Sequence, residues 1–136
     1  MKIRAATRDD LAAIAAIQAA SPEASQWDPA SYLDYDCLVA IEDDHVAGFL
    51  VSRQTAPGER EILNLAVAPF ERRRSVGRRL IAAELERSRG QWFLEVRESN
   101  AAARNLYKAC GFQEAGRRDS YYHDPPESGI VMKLIS

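Results

Sequence analysis

The amino-acid sequence predicts an α+β fold, with a mixed, mostly antiparallel sheet flanked by helices. Three observations lead there. Strand-like runs at residues 37–41, 46–53 and 61–67 follow one another with no helix between them. Elsewhere the apolar spacing changes to the three-and-four repeat of a helix. The resulting order is strand, helix, short helix, three strands, helix, strand, helix, two strands, which is not the alternation of a parallel βαβ protein. A length of 136 residues suits one ordinary domain, and residues 1–136 are read as such.

Each element has a local reason. Residues 3–6 read as a first strand. Thr7 then offers an N-cap, and Asp10 places a carboxylate in the first helical turn. Leu11, Ile14 and Ile17 repeat at helical spacing along an alanine-rich helix to about residue 20. A break over residues 21–29 precedes a short helix around 30–33. The strands at 37–41 and 46–53 are joined by a turn at Glu42-Asp43-Asp44-His45, Pro57-Gly58 makes the next turn, and Pro69 ends the strand at 61–67. Val76, Leu80, Ala83 and Leu85 mark a helix that Gly90 stops. After a strand at 92–96, Asn100 caps a helix carrying Ala103, Leu106, Tyr107 and Cys110, and Gly111 ends it. Strands at 112–116 and 130–134 complete the sheet, with residues 121–129 looping between them.

Composition excludes several classes of function. At 46% hydrophobic and 28% charged, the chain is a folding sequence and not a disordered one. The net charge of −2 argues against a nucleic-acid binder. It hides a split, however: residues 1–70 carry 11 acids and 5 bases, and residues 71–136 carry 9 acids and 13 bases. An anionic ligand is therefore expected in the second half. No stretch approaches the ~20 apolar residues of a membrane span, and the opening MKIRAATRDDL lacks the apolar core of a secretory signal. A cytoplasmic protein is expected. Cys37 and Cys110 are far apart and, with His45 and His123, make no metal-ligand pattern. No metal is expected, and both cysteines are read as reduced packing residues.

The most informative segment runs from Asn64 to Leu80, where a strand enters a basic turn and the turn enters a helix. Helix starts expose unpaired N–H groups and the positive end of a dipole, so they bind phosphate. Arg72, Arg73, Arg74, Arg78 and Arg79 add charge there, and Gly77 lets backbone approach a ligand. The plainer reading is an ordinary strand-to-helix turn with a solvated arginine face.

This segment resembles the acyl-CoA pyrophosphate loop of the GNAT superfamily of N-acetyltransferases, whose pattern is [Q/R]-x-x-G-x-[G/A]. Arg72 matches the first position and Gly77 the last, while Ser75 stands where the family has glycine. Serine still supplies a backbone N–H and is a good N-cap. The cradle then depends on whether the backbone angles there suit a residue with a Cβ. The block Leu94-Glu-Val-Arg-Glu-Ser-Asn-Ala-Ala-Ala-Arg-Asn-Leu-Tyr-Lys-Ala-Cys-Gly-Phe112 is similar to the signature of one branch, the bacterial ribosomal-protein-alanine N-acetyltransferases. Gly116-Arg-Arg-Asp-Ser-Tyr-Tyr122 resembles that branch too. Where the branch usually continues to Glu-Asp-Ala, this chain has Glu127-Ser128-Gly129.

The resemblance implies the GNAT fold, acetyl-CoA as the acetyl donor, and a protein N-terminus as acceptor, the N-terminal alanine of a small-subunit ribosomal protein in this branch. It implies Glu95 as general base and Tyr107 as general acid. It assigns the backbone of Leu65, Ala66 and Val67 to the pantetheine arm and thioester carbonyl, Arg72, Arg73, Arg74, Ser75, Val76, Gly77 and Arg78 to the phosphates, and Asn100 to a further cofactor contact. It places the peptide between the loop after the first helix, which holds Trp27, and a loop over residues 117–129, which holds Tyr121 and Tyr122.

Those residue types suit the chemistry. Acetyl transfer to an amine needs a neutral amine, a polarised carbonyl and a proton for the leaving sulfur. A glutamate of ordinary pKa, ~4.3, is a weak base, so burial or a relaying water must assist it. An α-amine with a pKa near 8 asks about 3 kcal/mol less of such a base than lysine at ~10.4 does. Glu95 also reads as a charged strand end paired with Arg97 or Arg104, and Tyr107 as a core aromatic sharing a face with Ala103 and Cys110. Tyr121 and Tyr122 read equally as covers of the core. The acidic first half suits a cationic partner or is simply a solvated face. Two other functions stay open: a GNAT acetyltransferase of small-molecule amines, and a non-catalytic acyl-CoA-binding module.

Overall fold

The computed structural model describes residues 1–72, 75–123 and 126–135; Arg73 and Arg74 of the predicted cofactor turn lie outside them. Seven strands make one sheet: β1 (Lys2–Ala5), β2 (Asp36–Glu42), β3 (His45–Ala56), β4 (Glu59–Val67), β5 (Gln91–Arg97), β6 (Gln113–His123) and β7 (Pro126–Ile135), in the order β1-β2-β3-β4-β5-β7-β6. The pairing is antiparallel except between β4 and β5. The helices are α1 (Leu11–Ala19), α2 (Val76–Arg87) and α3 (Ala101–Ala109), with 3₁₀ turns at Arg8–Asp10, Pro29–Asp34 and Pro69–Glu71.

Strand alternation divides the core into two layers. Leu38, Ala40, Leu50, Trp92, Leu94 and Val96 face α2 and α3, where Val76, Leu80, Ile81 and Tyr107 meet them. Cys37, Val39, Phe49 and Val51 face the other way, onto Ile14 and Ile17 of α1 and onto Tyr32. Burial pushes the Cys37 thiol up to about 12, and both cysteines are free, as the sequence suggests.

The predicted turns have physical causes in the structure. Asp43 and Asp44 both adopt positive φ (48° and 64°), the pair of left-handed residues that a two-residue hairpin requires. Asp10 accepts the Thr7 backbone N–H at 2.7 Å, although that first turn is 3₁₀ and the α-helix proper starts at Leu11. Asn100 caps α3 by accepting from Ala103 N–H at 3.2 Å. Gly90 (φ +131°) does more than end α2: a Cβ there would lie 2.4 Å from the Gly58 carbonyl oxygen, which accepts from Gln91 N–H at 2.9 Å.

Two departures from the predicted elements shape the site. Residues 117–129 are not a loop. Of these, residues 117–123 and 126–129 are strand: β6 runs on to His123, β7 starts at Pro126, and the two pair. The second departure lies in β4. Val51 pairs with Asn64 but Ser52 pairs with Ile62, so Leu63 is an extra residue, a β-bulge. Ile62 faces α2 whereas Ala66, four residues on, faces α1; one bulge accounts for that reversal. Downstream of it the sheet opens. The β4–β5 ladder covers only Glu59↔Gln91 to Ile62↔Leu94, although β4 continues to Val67 and β5 to Arg97.

Candidate active site

The opening between β4 and β5 leads into a cavity of about 510 Å³. Leu65, Ala66, Val67, Arg72, Ser75, Val76, Gly77, Arg78, Asn100 and Tyr107 all line it, so most of the residues predicted from scattered parts of the chain converge on one space. The start of α2 forms one wall. Arg79 N–H makes the helix's first intrahelical bond, to Ser75 O at 3.0 Å. The N–H groups of Val76, Gly77 and Arg78 precede that bond and point out of the helix end, a cradle for an anion. A Cβ on Gly77 would lie 2.9 Å from Leu106 Cδ2. The glycine thus makes room for α3 as well as for a ligand.

Ser75 occupies the N-cap position, but not as expected. Its φ is +64° and ψ 19°, left-handed, and its side chain makes no capping hydrogen bond. The turn holds the conformation that glycine adopts without cost. Arg72 also differs from a free phosphate ligand. Its Nε donates to Val67 O at 3.2 Å and its Nη2 to Ser21 Oγ at 3.1 Å and Ala20 O at 3.3 Å. It ties the end of β4 to the loop after α1.

On β4, Ala68 N–H bonds to Ala47 O on β3 at 2.8 Å. By the two-residue repeat of a strand, the amides of Leu65 and Val67 point away from β3 into the opening. Leu65 N–H is taken by Asn64 Oδ1 at 3.0 Å and Val67 O by Arg72, which leaves Val67 N–H as the donor facing the cavity. Asn64 is a residue that sequence reasoning missed. It also accepts from Ser25 N–H (3.3 Å) and donates to Ser25 O (3.0 Å), Tyr32 Oη (3.0 Å) and Gln18 Oε1 (3.3 Å). This buried network joins the bulge to the loop after α1; no motif signals it.

Tyr107 is buried in the α2–α3 layer, edge-on to Phe112 at 5.7 Å. Burial pushes its phenol above the ordinary value, with nearby Cys110 and Tyr122 adding to the effect, so it stays protonated through neutral pH. Glu95 alternates with Leu94 and Val96 and therefore lies on the opposite face of β5. It does not line the cavity. Its partner is neither Arg97, which pairs with Glu127 at 3.3 Å, nor Arg104, which pairs with Glu114; Arg118 Nη1 donates to Glu95 Oε1 at 2.6 Å.

Tyr121 and Tyr122 stand beside Glu95. Neighbouring strand residues ordinarily point to opposite faces, yet these rings touch edge-to-face at 5.0 Å. The reason is a second irregularity: between Arg118↔Gly129 and Tyr122↔Glu127, β6 advances four residues while β7 advances two. Ser120, at φ 54°, takes up the slack. A Cβ on Gly129 would lie 3.2 Å from Tyr121 Cδ2 and 3.4 Å from both Tyr122 Cε2 and Glu95 Oε2. Trp27 is not gathered into this cluster. It is 46% exposed, and its ring makes no hydrogen bond or aromatic contact among the described residues; its carbonyl accepts from Gln18 Nε2 at 2.6 Å.

Among the described residues no group of three or more His, Cys, Asp or Glu is placed to hold a metal, and no helix is long and apolar enough to cross a membrane.

Comparison with known proteins agrees with this geometry. Residues 6–112 match the Acetyltransferase (GNAT) family. A Salmonella typhimurium protein named [Ribosomal protein bS18]-alanine N-acetyltransferase is 42% identical over 104 residues, covering 71% of this chain and 69% of that one. The crystal structure of the ribosomal-protein-S18-alanine N-acetyltransferase from Escherichia coli superposes with a TM-score of 0.82 at 28% identity, covering 98% of this chain and 92% of that one. That of Ard1 from Thermoplasma volcanium gives 0.88 at 28% identity, covering 98% and 96%. With its splayed sheet, its cradle at the start of α2 and these relatives, the chain belongs to the GNAT acetyltransferase family and is an acetyl-CoA-dependent N-acetyltransferase.

Proposed function

We propose that the protein acetylates the free α-amine of a protein N-terminus in the cytoplasm, with the N-terminal alanine of a small-subunit ribosomal protein as its acceptor. One observation carries the reading: a partly buried base candidate, Glu95 on β5, and a buried proton donor, Tyr107 on α3, lie on opposite sides of the sheet beside the opening between β4 and β5. An acceptor entering from the Glu95 side and a donor thioester from the Tyr107 side would meet in that opening.

The cavity fits an acyl-CoA by its amide cradle at the start of α2 and by the free Val67 N–H. Bound there, acetyl-CoA supplies an activated acetyl carbon and a thiol leaving group. The N–H groups of Val76, Gly77 and Arg78 hold the pyrophosphate, with Arg78 adding positive charge. Val67 N–H donates to the carbonyl oxygen as negative charge develops on it, a fixed dipole that needs no reorganisation. Glu95 takes the proton of the acceptor ammonium, directly or through a water, and releases it to solvent; the neutral nitrogen forms the N–C bond and gives up its second proton by the same route. As the C–S bond breaks, Tyr107 gives its hydroxyl proton to the sulfur and solvent at the cavity mouth replaces it. Amide and thiol are the products. Tyr121 and Tyr122 border the acceptor, and Arg72 and Asn64 hold the loop after α1 that forms its other border.

Intact-mass detection of acetyl transfer tests this with three acceptors: a basic peptide starting with Ala, its N-blocked twin containing lysine, and a polyamine panel. Transfer to the free α-amine alone is expected. Polyamine acetylation without peptide acetylation would establish the small-amine reading instead, and acetyl-CoA binding with no turnover would establish a binding module. Glu95→Gln should lower turnover far more than acetyl-CoA affinity; an equal loss of both would contradict its role as base.

A further inference from the structure

Beside the reacting groups stands a cation that the steps above do not use. Arg118, on β6, bonds through Nη1 to Glu95 Oε1 at 2.6 Å, and its guanidinium carbon lies 4.3 Å from the ring centroid of Tyr121. Tyr121 packs on Tyr122, which Arg97 covers at 4.4 Å. The arginine itself is 56% exposed, and an ion pair so open to water contributes little to folding. Its partner is placed differently. Glu95 is only 13% exposed, and its second oxygen, Oε2, is buried with no hydrogen-bond partner among the described residues.

An unpaired buried carboxylate oxygen is costly, and a native structure keeps one where a ligand or water will use it. Gly129 lies beside that oxygen and adds no side chain there; a Cβ would come into van der Waals contact with Oε2, at 3.4 Å. The two oxygens of one carboxylate therefore have different surroundings. Among the described residues, the charged and titratable groups around them are Arg118, Tyr121 and Tyr122 from β6, Arg97 from β5 and Glu127 from β7, the last two paired with each other.

We propose that Arg118 is a positioning residue: it fixes Glu95 through Oε1 and leaves Oε2 as the oxygen that receives the acceptor's ammonium, directly or through one water. The inference rests on the reading of Glu95 as base. Arg118 is not a plug that must leave, because it bonds to Oε1 and makes no hydrogen bond to Oε2. Stacking on Tyr121 holds the guanidinium in place when the acceptor arrives.

Steady-state kinetics with the Ala-starting peptide, on the unsubstituted protein and on Arg118→Met and Arg118→Lys, decide the matter. Arg118→Met should lower kcat by roughly 10- to 100-fold, the range spanned by loss of orientation at a base. KM for acetyl-CoA and the melting temperature should stay within error, and Arg118→Lys should recover most of kcat. A kcat for Arg118→Met within twofold of the parent overturns the proposal. So does a higher one, which would mark a plug, or a lysine variant as slow as the methionine one.

An NMR arm is independent of turnover. The Arg118 δ-methylene protons should show an upfield ring-current shift that Tyr121→Leu removes, and Glu95→Ala should disorder the Arg118 side chain. Absence of both effects overturns the contact itself. If the parent acetylates no peptide, the N-terminal acceptor reading fails and the kinetics are read on the amine it does acetylate; if it acetylates none, the base reading fails too, while NMR still reports whether Arg118 holds the carboxylate.

Discussion

Ser75 offers a direct test of how the cofactor turn is built. Its left-handed backbone (φ +64°, ψ 19°) costs a residue with a Cβ about 1–2 kcal/mol, a strain that glycine does not carry. Ser75→Gly removes this strain and loses no hydrogen bond, since the serine side chain caps nothing. Against that, glycine's greater freedom in the unfolded chain returns about 0.5–1 kcal/mol. The balance is a stabilisation of about 0.5–1 kcal/mol. An unfolding entropy of ~2.1 cal/mol/K per residue over the 136 residues makes this a rise of about 2–3 °C in melting temperature. Ser75→Val should move the other way by more, because a β-branched side chain at positive φ is more strained still. Thermal unfolding followed by circular dichroism reads both, and calorimetric titration of acetyl-CoA should give the glycine variant an affinity equal to or tighter than the parent's. A glycine variant melting at or below the parent, together with a valine variant unchanged, would refute the left-handed turn and the argument built on it.

Gly77→Ala should separate folding from binding. Alanine favours the helix by up to ~1 kcal/mol and Leu106 can rotate away from the new Cβ. Leu106, however, lines the cavity, so stability should hold while acetyl-CoA Kd rises about tenfold, ~1.4 kcal/mol by titration calorimetry; an unchanged Kd would count against the wall described here. Asn64→Ala strips partners from Leu65 N–H and from the buried Tyr32 and Gln18 groups, and should lower urea-unfolding stability by about 2–3 kcal/mol. A loss below ~0.5 kcal/mol would make that network incidental. His45 Nε2 lies 2.9 Å from Glu71 Oε1, and that hydrogen bond, with the charge behind it, raises the His45 pKa. Its contribution to stability is therefore complete below the unfolded value of ~6.5 and is lost as pH rises through the higher folded value. An NMR titration should place His45 above an ordinary histidine, and Glu71→Gln should bring it back; an identical midpoint in both proteins would contradict the pairing.

The parts of this molecule that were legible in the sequence share one property: each follows from residues close together in the chain. The Asp43-Asp44 hairpin, the Asn100 cap and the change of period at Val76 depend on neighbours within four residues, and all stand in the structure. The convergence of residues 65–67, 75–78, 100 and 107 on one cavity follows in the same way, because the family motifs mark where each segment turns. What stayed hidden depends on register. The extra residue at Leu63 is invisible in Ile-Leu-Asn-Leu, since both faces of β4 are apolar there and the pattern does not change when one face slips onto the other. Yet that bulge precedes the opening of the sheet and leaves Asn64 to take the Leu65 amide, so that Val67 is the next to face the opening with its own.

The same limit explains the hairpin read as a loop. Arg117 to Gly129 has no alternation of apolar and polar residues, and β6 is an exposed edge along nearly its whole length; nothing but pairing with β7 makes it a strand. The irregularity at Ser120 within that hairpin sets both tyrosines beside Glu95 and sends Arg118 rather than Arg97 or Arg104 to the carboxylate. Motif reasoning therefore gathers the residues of the proposed cofactor half onto one cavity, since a phosphate cradle is built on a local helix start. The proposed acceptor half is assembled by offsets between strands, and any change to the register of β6 on β7 should alter acceptor choice while leaving acetyl-CoA binding intact. Deleting Ser120 tests this: Kd for acetyl-CoA should hold and peptide turnover should collapse, whereas parallel loss of both would mean that the two halves are not built independently.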